Sequence, residues 1–213
     1  MSETPTALEA RQSDKGRLFS PSAGRNKADI SKALSNCLPM GAAVLEIGSG
    51  TGEHGIETVA LRPDVIWQFS DPDSASRVSQ AAWAAHSAHD FPEPLNLDMS
   101  DPVSCSQLTR KYDVIFSANM IHIAPISAVY GLAELAAQVL NDVGSVVLYG
   151  PFLRGEATAP SNLDFDASLK RRNPEWGVRD LEAVKHIFAK RGLKDVTLSD
   201  MPKNNFVLEM SRR

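Results

Sequence analysis

The sequence predicts an α/β protein built on a largely parallel sheet, and three observations lead there. Short apolar runs alternate with amphipathic stretches between residues 42 and 149, the pattern of strands buried on both faces and joined by helices. The first apolar run leads into a glycine-rich segment, residues 45–55, LEIGSGTGEHG. In an open α/β sheet that position is where ligands bind. Two β-like runs close the chain across a tight turn of proline and asparagine, which predicts a terminal hairpin.

The elements follow in order. Residues 1–20 are polar and charged with no sustained apolar period, so they are expected to be flexible, or ordered only by docking. Residues 21–213 are read as a single domain. Ile30, Ala33, Leu34 and Cys37 recur at helical spacing over 22–37, and Pro39-Met40-Gly41 ends that helix. Residues 42–47 are the first strand of the sheet, followed by a helix over 52–61 that Arg62-Pro63 stops. Residues 65–70 are the second strand, and 73–89 a long alanine-rich helix with Val78, Ala81, Ala82 and Ala85 on one face. A short third strand is expected at 94–97, a fourth at 112–118 (YDVIFSA), a helix at 127–140 and a fifth strand at 145–149. Residues 151–178 break the rhythm with Pro, Gly, Asn and aromatic residues around a short helix near 165–172, and are read as a lid-like insertion. An amphipathic helix over 180–191 leads to the last strands, 194–198 and 206–210.

Whole-chain properties narrow the function classes. The formal net charge of -4 carries no concentrated basic footprint, which argues against a nucleic-acid partner. Lys170-Arg171-Arg172, with Arg179 nearby, reads as a solvated helix face or a local substrate contact. Cys37 and Cys105 build no disulfide framework. No stretch has the length and apolarity of a signal peptide or a membrane span, so the expected setting is cytoplasmic, as a monomer or homodimer. His86-x-x-His89 with Asp90 reads as an exposed helix end, and no metal site is expected.

The glycine segment contains two overlapping patterns. Glu46, Gly48, Gly50 and Gly52 give E-x-G-x-G-x-G, while Gly50, Gly52 and Gly55 give the dinucleotide pattern G-x-G-x-x-G. Such a loop before a helix N-terminus suits an anion, either a pyrophosphate or the carboxylate of a methionine moiety. Glu46 lies inside the strand, two residues before the first glycine. A pyrophosphate repels a carboxylate there, whereas a zwitterionic amino acid beside a sulfonium tolerates it. The dinucleotide pattern also starts too far beyond the strand. S-adenosylmethionine is therefore the expected ligand of Gly48, Ser49, Gly50 and Gly52, with S-adenosylhomocysteine as product. Asp71 follows the second strand and can accept both ribose hydroxyls, as it would for NAD. Asp73 is the more natural helix N-cap. Asp98 can accept from the adenine amino group while Met99 packs on the ring.

Further segments carry a resemblance. FSPSAGRNKADI (19–30), LEIGSGTGEH (45–54), WQFSDPD (67–73), ANMIHIAP (118–125), LYGPF (148–152), SNLDFDASLKRRNPEWGVRD (161–180) and MPKNNFVL (201–208) extend over nearly the whole chain. With these, the sequence resembles the class I S-adenosylmethionine-dependent methyltransferases, and more narrowly the DUF938 (UPF0585) family, which includes the methyltransferase-like protein 26 group. The resemblance implies a Rossmann-like, seven-stranded sheet of order 3-2-1-4-5-7-6 with the last strand antiparallel. It also implies cofactor contacts at Glu46, Gly48, Gly50, Asp71, Asp98 and Asn119. It lends little about the substrate.

The acceptor side is sought after the fourth and fifth strands. Asn119 is placed to accept from the cofactor's ammonium group. His122 is a candidate general base or substrate hydrogen-bond partner, or else a histidine packed at a helix start. Tyr149 either orients the acceptor or caps the core. In the insertion, Asn162, Asp166, Arg172 and Trp176 are substrate candidates and Arg179 a catalytic one, while Phe165 and Leu169 read as core anchors. Arg25 and Asn26 are expected to close over the cofactor from the N-terminal helix. The leading expectation is methyl transfer to a small-molecule thiol, amine or hydroxyl; the alternative is a non-catalytic protein that binds the same cofactor.

Overall fold

The computed structural model describes residues 10–101, 103–106 and 108–212, so the first nine residues of the expected flexible segment lie outside it. Within that segment β1 (Gln12–Asp14) and β2 (Arg17–Phe19) form an antiparallel hairpin. Its turn places Lys15 and Gly16 at φ of 50° and 83°, the left-handed pair that matches strand twist in a two-residue connection. The hairpin docks: Trp83 Nε1 donates to the Leu18 carbonyl at 3.0 Å, and the Trp83 ring meets Phe19 edge to face.

The remaining strands make one six-stranded sheet. In chain order they are β3 (Ala43–Glu46), β4 (Ile66–Gln68), β5 (Tyr112–Ala118), β6 (Leu140–Gly150), β7 (Asp195–Met201) and β8 (Asn205–Ser211). In space they lie β4-β3-β5-β6-β8-β7. The first four are mutually parallel, and β8 runs antiparallel to both β6 and β7. This is the expected order with one correction: the sheet has six strands, not seven. Where the third strand was expected, Leu95 alone bridges to Ser70. Pro92 and Pro94 precede it, and neither has an N–H to extend a ladder.

Helices cover both faces: α1 (Pro21–Cys37), α2 (Glu53–Leu61), α3 (Ser74–His86), α4 (Ile126–Val139), α5 (Pro160–Arg172) and α6 (Leu181–Ala189). Alternation along β3 divides the core. Leu45 and Ile47 join Ile115, Leu148, Val129, Leu132, Val184 and Phe188 on the α4–α6 side. Val44 joins Trp67, Phe69, Phe116, Ile30, Leu34 and Val59 on the α1–α2 side. Gly55 belongs to α2: a Cβ there would lie 2.4 Å from both Phe69 and Trp67, so glycine sets how closely the helix approaches the sheet.

Candidate functional site

The site forms where β3, β5 and β6 end. β3 runs into Gly48, Gly50 and Gly52, all at positive φ (67°, 55° and 93°), a conformation in which side chains are disfavoured. The first positive φ coincides with crowding, since a Cβ on Gly48 would approach Met120 Cγ to 2.8 Å. Gly50 N–H donates to Asp71 Oδ2 and Asp73 N–H to Asp71 Oδ1, at 2.8 and 2.9 Å. The acid at the end of β4 therefore fixes the loop and still has oxygen lone pairs for another donor. From the other side, Ser20 N–H, at the start of α1, donates to Glu53 Oε2 at 2.8 Å, and Asn26 meets His54 at 3.0 Å. This lays the first turns of α1 over the loop.

Two chambers meet at Gly48 and Gly50. The smaller, about 340 Å³, is lined by Asp71, Leu97, Asp98, Met99, Met120 and Trp176. The larger, about 460 Å³, includes Ser49, Asn119, His122, Tyr149, Asn162 and Arg172 in its walls. The smaller chamber combines apolar lining from Leu97, Met99 and Met120 with the carboxylates of Asp71 and Asp98, and it shares Gly48 and Gly50 with the larger one. Asp98 is already oriented, with Oδ1 accepting from Ser100 N–H and hydroxyl at 2.8 and 2.6 Å.

His122 forms part of the inner wall. It is buried, its Nδ1 accepts from the Arg179 backbone N–H at 3.3 Å, and its Nε2 has no partner among the described residues. Burial, and then the Arg179 charge, hold its pKa down to about 3, so the ring is neutral at pH 7. A backbone N–H can only donate, so the ring proton resides on Nε2. In this arrangement Nε2–H is the ring's hydrogen-bond donor. Tyr149 is buried nearby, and burial raises its pKa while the Asn26 side chain hydrogen-bonds to it.

Several expected residues are placed otherwise. Glu46 lines neither chamber; strand alternation points it to the α1–α2 side, where Trp67 Nε1 donates to it at 3.0 Å. Burial raises its pKa to about 8. Gly52 also lies outside both chambers, as the N-cap of α2. Arg179 does not reach the cavity: its guanidinium donates to the Ile121, Ala124 and Glu175 carbonyls. Asp166 is likewise occupied, accepting from Val178 N–H at 2.9 Å and pairing with Lys170. Trp176 lines the smaller chamber rather than the larger one. Arg25, Asn26, Asn162 and Arg172 line the larger.

Other lining residues were not anticipated. Arg11 borders both chambers, its Nη1 donating to Ser76 Oγ at 3.0 Å; it sits in the segment expected to be flexible, where a single charge gives no signal. Phe165 lines the larger chamber although its spacing to Leu169 suggested the core. Lys203 and Asn205 enter from the β7–β8 turn, and the MPKNN run was the available signal.

Comparison with known proteins fits this geometry. The family model described as "Protein of unknown function (DUF938)" matches residues 17–212. An O-methyltransferase family protein from Burkholderia thailandensis superposes with a TM-score of 0.74 at 14% identity, over 90% of this chain and 56% of that one. CalO1, a methyltransferase in calicheamicin biosynthesis, in its SAH-bound form, gives 0.75 at 12% identity, over 90% and 54%. A segment of 82 residues is 34% identical to the non-reducing polyketide synthase ausA of Emericella nidulans, covering 37% of this chain and 3% of that protein. The chain thus spans little more than half the length of these solved structures and a small part of the synthase. Its fold is the α/β methyltransferase fold.

Proposed function

The chain belongs to the DUF938 family, and from that premise we propose that it is an S-adenosylmethionine-dependent methyltransferase acting on a small-molecule acceptor. One observation carries the reading: a slot lined by two acids and a second, larger chamber meet at a loop whose Gly48 and Gly50 line both. When bound, S-adenosylmethionine supplies a methyl group whose carbon–sulfur bond breaks with the electron pair remaining on sulfur. The chain's own task is to align an acceptor lone pair and exclude water. Asp71 and Asp98 would hold the ribose and adenine, Met99 would pack on the ring, and Trp176 would cover it from the lid. Ser49, Arg25, Asn26 and Asn119 would hold the methionine end. His122 Nε2–H and the Tyr149 hydroxyl would orient the acceptor, with Asn162 and Arg172 shaping its chamber. Likeness to the methyltransferase-like protein 26 group rests on the sequence segments alone; a cytoplasmic setting and a monomeric or homodimeric state are part of the proposal.

Calorimetry with S-adenosylmethionine, S-adenosylhomocysteine and NAD tests the cofactor. Binding of the first two and not the third is expected, and NAD binding without them would sink the reading. Incubating the protein with metabolite extracts and methyl-labelled cofactor tests catalysis, with label expected in a small-molecule product. Cofactor binding with label retained on the cofactor would favour a binding protein.

A further inference from the structure

We propose that the acceptor carries a carboxylate on a small, largely apolar body, and that Lys203 selects it. This rests on the methyl-transfer reading above and names the substrate class of the same site. Three independent features of the larger chamber converge on it.

The first is charge. Among the described residues, the chamber is lined by four cationic side chains, Arg11, Arg25, Arg172 and Lys203, and one carboxylate, Asp29. The chain as a whole has a formal charge of -4, so this concentration of positive charge is local. Arg11 lies at the junction with the smaller chamber, bonded to Ser76 and 3.9 Å from Asp73. The other three arrive from separate elements: α1, the last turn of α5 and the β7–β8 turn. A cavity of this sign raises the local concentration of an anionic ligand.

The second is backbone strain at the residue itself. Lys203 and Asn204 both adopt left-handed conformations, at φ of 60° and 57°, within the three-residue turn Pro202–Asn204 between the paired Met201 and Asn205, a conformation in which a lysine is disfavoured. Three side-chain bonds hold the turn: Asn162 Nδ2 to the Asn204 carbonyl at 3.0 Å, Asn204 Nδ2 to Ser161 Oγ at 2.9 Å, and Asn205 Nδ2 to the Pro202 carbonyl at 3.0 Å. Two of these tie the turn to α5, so the strained lysine is set against the lid helix and lines the chamber between them. Strain maintained by its surroundings at a cavity wall is a mark of function.

The third is the character of the remaining lining. His122 contributes a buried Nε2–H with no partner among the described residues, so the inner wall offers a donor. Phe165, Ile123, Pro151 and Pro202 supply apolar surface. A carboxylate at the Lys203 rim, an apolar body and a hydrogen-bond-accepting atom toward His122 satisfy all three.

The test uses the full chain and paired probes: benzoate, phenylacetate and 4-hydroxybenzoate, each against its primary amide. Adenosylhomocysteine binding is measured first, and the probes are then titrated into the saturated protein by ligand-observed NMR. At least one acid is expected to bind tenfold or more tightly than its amide. Lys203→Gln should abolish that preference and Lys203→Arg should retain it, with adenosylhomocysteine affinity within twofold of the parent in both. No acid preference across the panel, or a preference intact in Lys203→Gln, overturns the inference while leaving methyl transfer standing. Failure to bind adenosylhomocysteine at the first step overturns both.

Discussion

Burial holds His122 at about 3 and Glu46 at about 8, and these residues act on stability in opposite directions. Between the folded value of His122 and the ordinary histidine value of about 6.5, the unfolded chain binds more protons. Stability contributed by the neutral ring is therefore lost as pH falls from about 6.5 toward 3. His54, also lowered by burial to about 4, adds to this acid-side loss. For Glu46 the folded state binds the extra proton, so stability is lost as pH rises from about 4.5 to 8. Urea midpoints at pH 5, 6.5 and 8 should show the consequence: His122→Gln flattens the acid side and Glu46→Gln the alkaline side, each by an amount on the order of a few kcal/mol. Unchanged slopes would mean that these groups titrate normally. At Gly48 a positive φ and the contact with Met120 act together. Gly48→Ala is expected to weaken adenosylhomocysteine binding about tenfold, the equivalent of about 1–2 kcal/mol of left-handed strain, as read by calorimetry.

At the scale of elements, the lid is tied to the end of β5 by the Arg179 side chain and a backbone bond. Arg179 joins the Ile121 and Ala124 carbonyls to the lid's Glu175, and Gly177 N–H donates to the His122 carbonyl. Arg179→Met should accelerate hydrogen exchange through residues 173–180 and cost about 1–3 kcal/mol, with Arg179→Lys failing to restore it because a point charge cannot span three carbonyls. Protection equal to the parent would show that the lid is held elsewhere. The parallel strands were legible in the sequence because strands buried on both faces leave continuous apolar runs such as Val44–Leu45 and Val114–Phe116. The hairpin was not: three-residue strands carry no periodicity, and only Lys15-Gly16 marked the turn. The misplaced third strand has the same origin, since Leu95 and Leu97 alternate like a strand while the preceding prolines deny it a ladder. The placement of Asp71 and Asp98 beside the smaller chamber was legible because they follow strand ends. The partners of Glu46, Asp166 and Arg179 were not, because residue type and position do not say which way a side chain turns.

For the whole molecule, the N-terminal hairpin stands outside the central sheet yet delivers Arg11 to both chambers. Removing residues 1–19 should therefore leave a cooperatively melting α/β domain with its circular dichroism intact. Its affinity for adenosylhomocysteine should fall by about tenfold or more, as hydrogen bonds to a charged group contribute about 1.5–3 kcal/mol. Loss of cooperative melting would instead make the hairpin part of the folding unit. The shortened sheet has its own consequence at the molecular surface. One edge is β4, only three residues long and followed by a single bridge; the other, β7, carries Asp195 and Asp200 and is followed by Pro202. A short border and a charged, proline-terminated one both resist extension by a neighbouring strand, so neither margin of the sheet is a ready template for edge-to-edge aggregation.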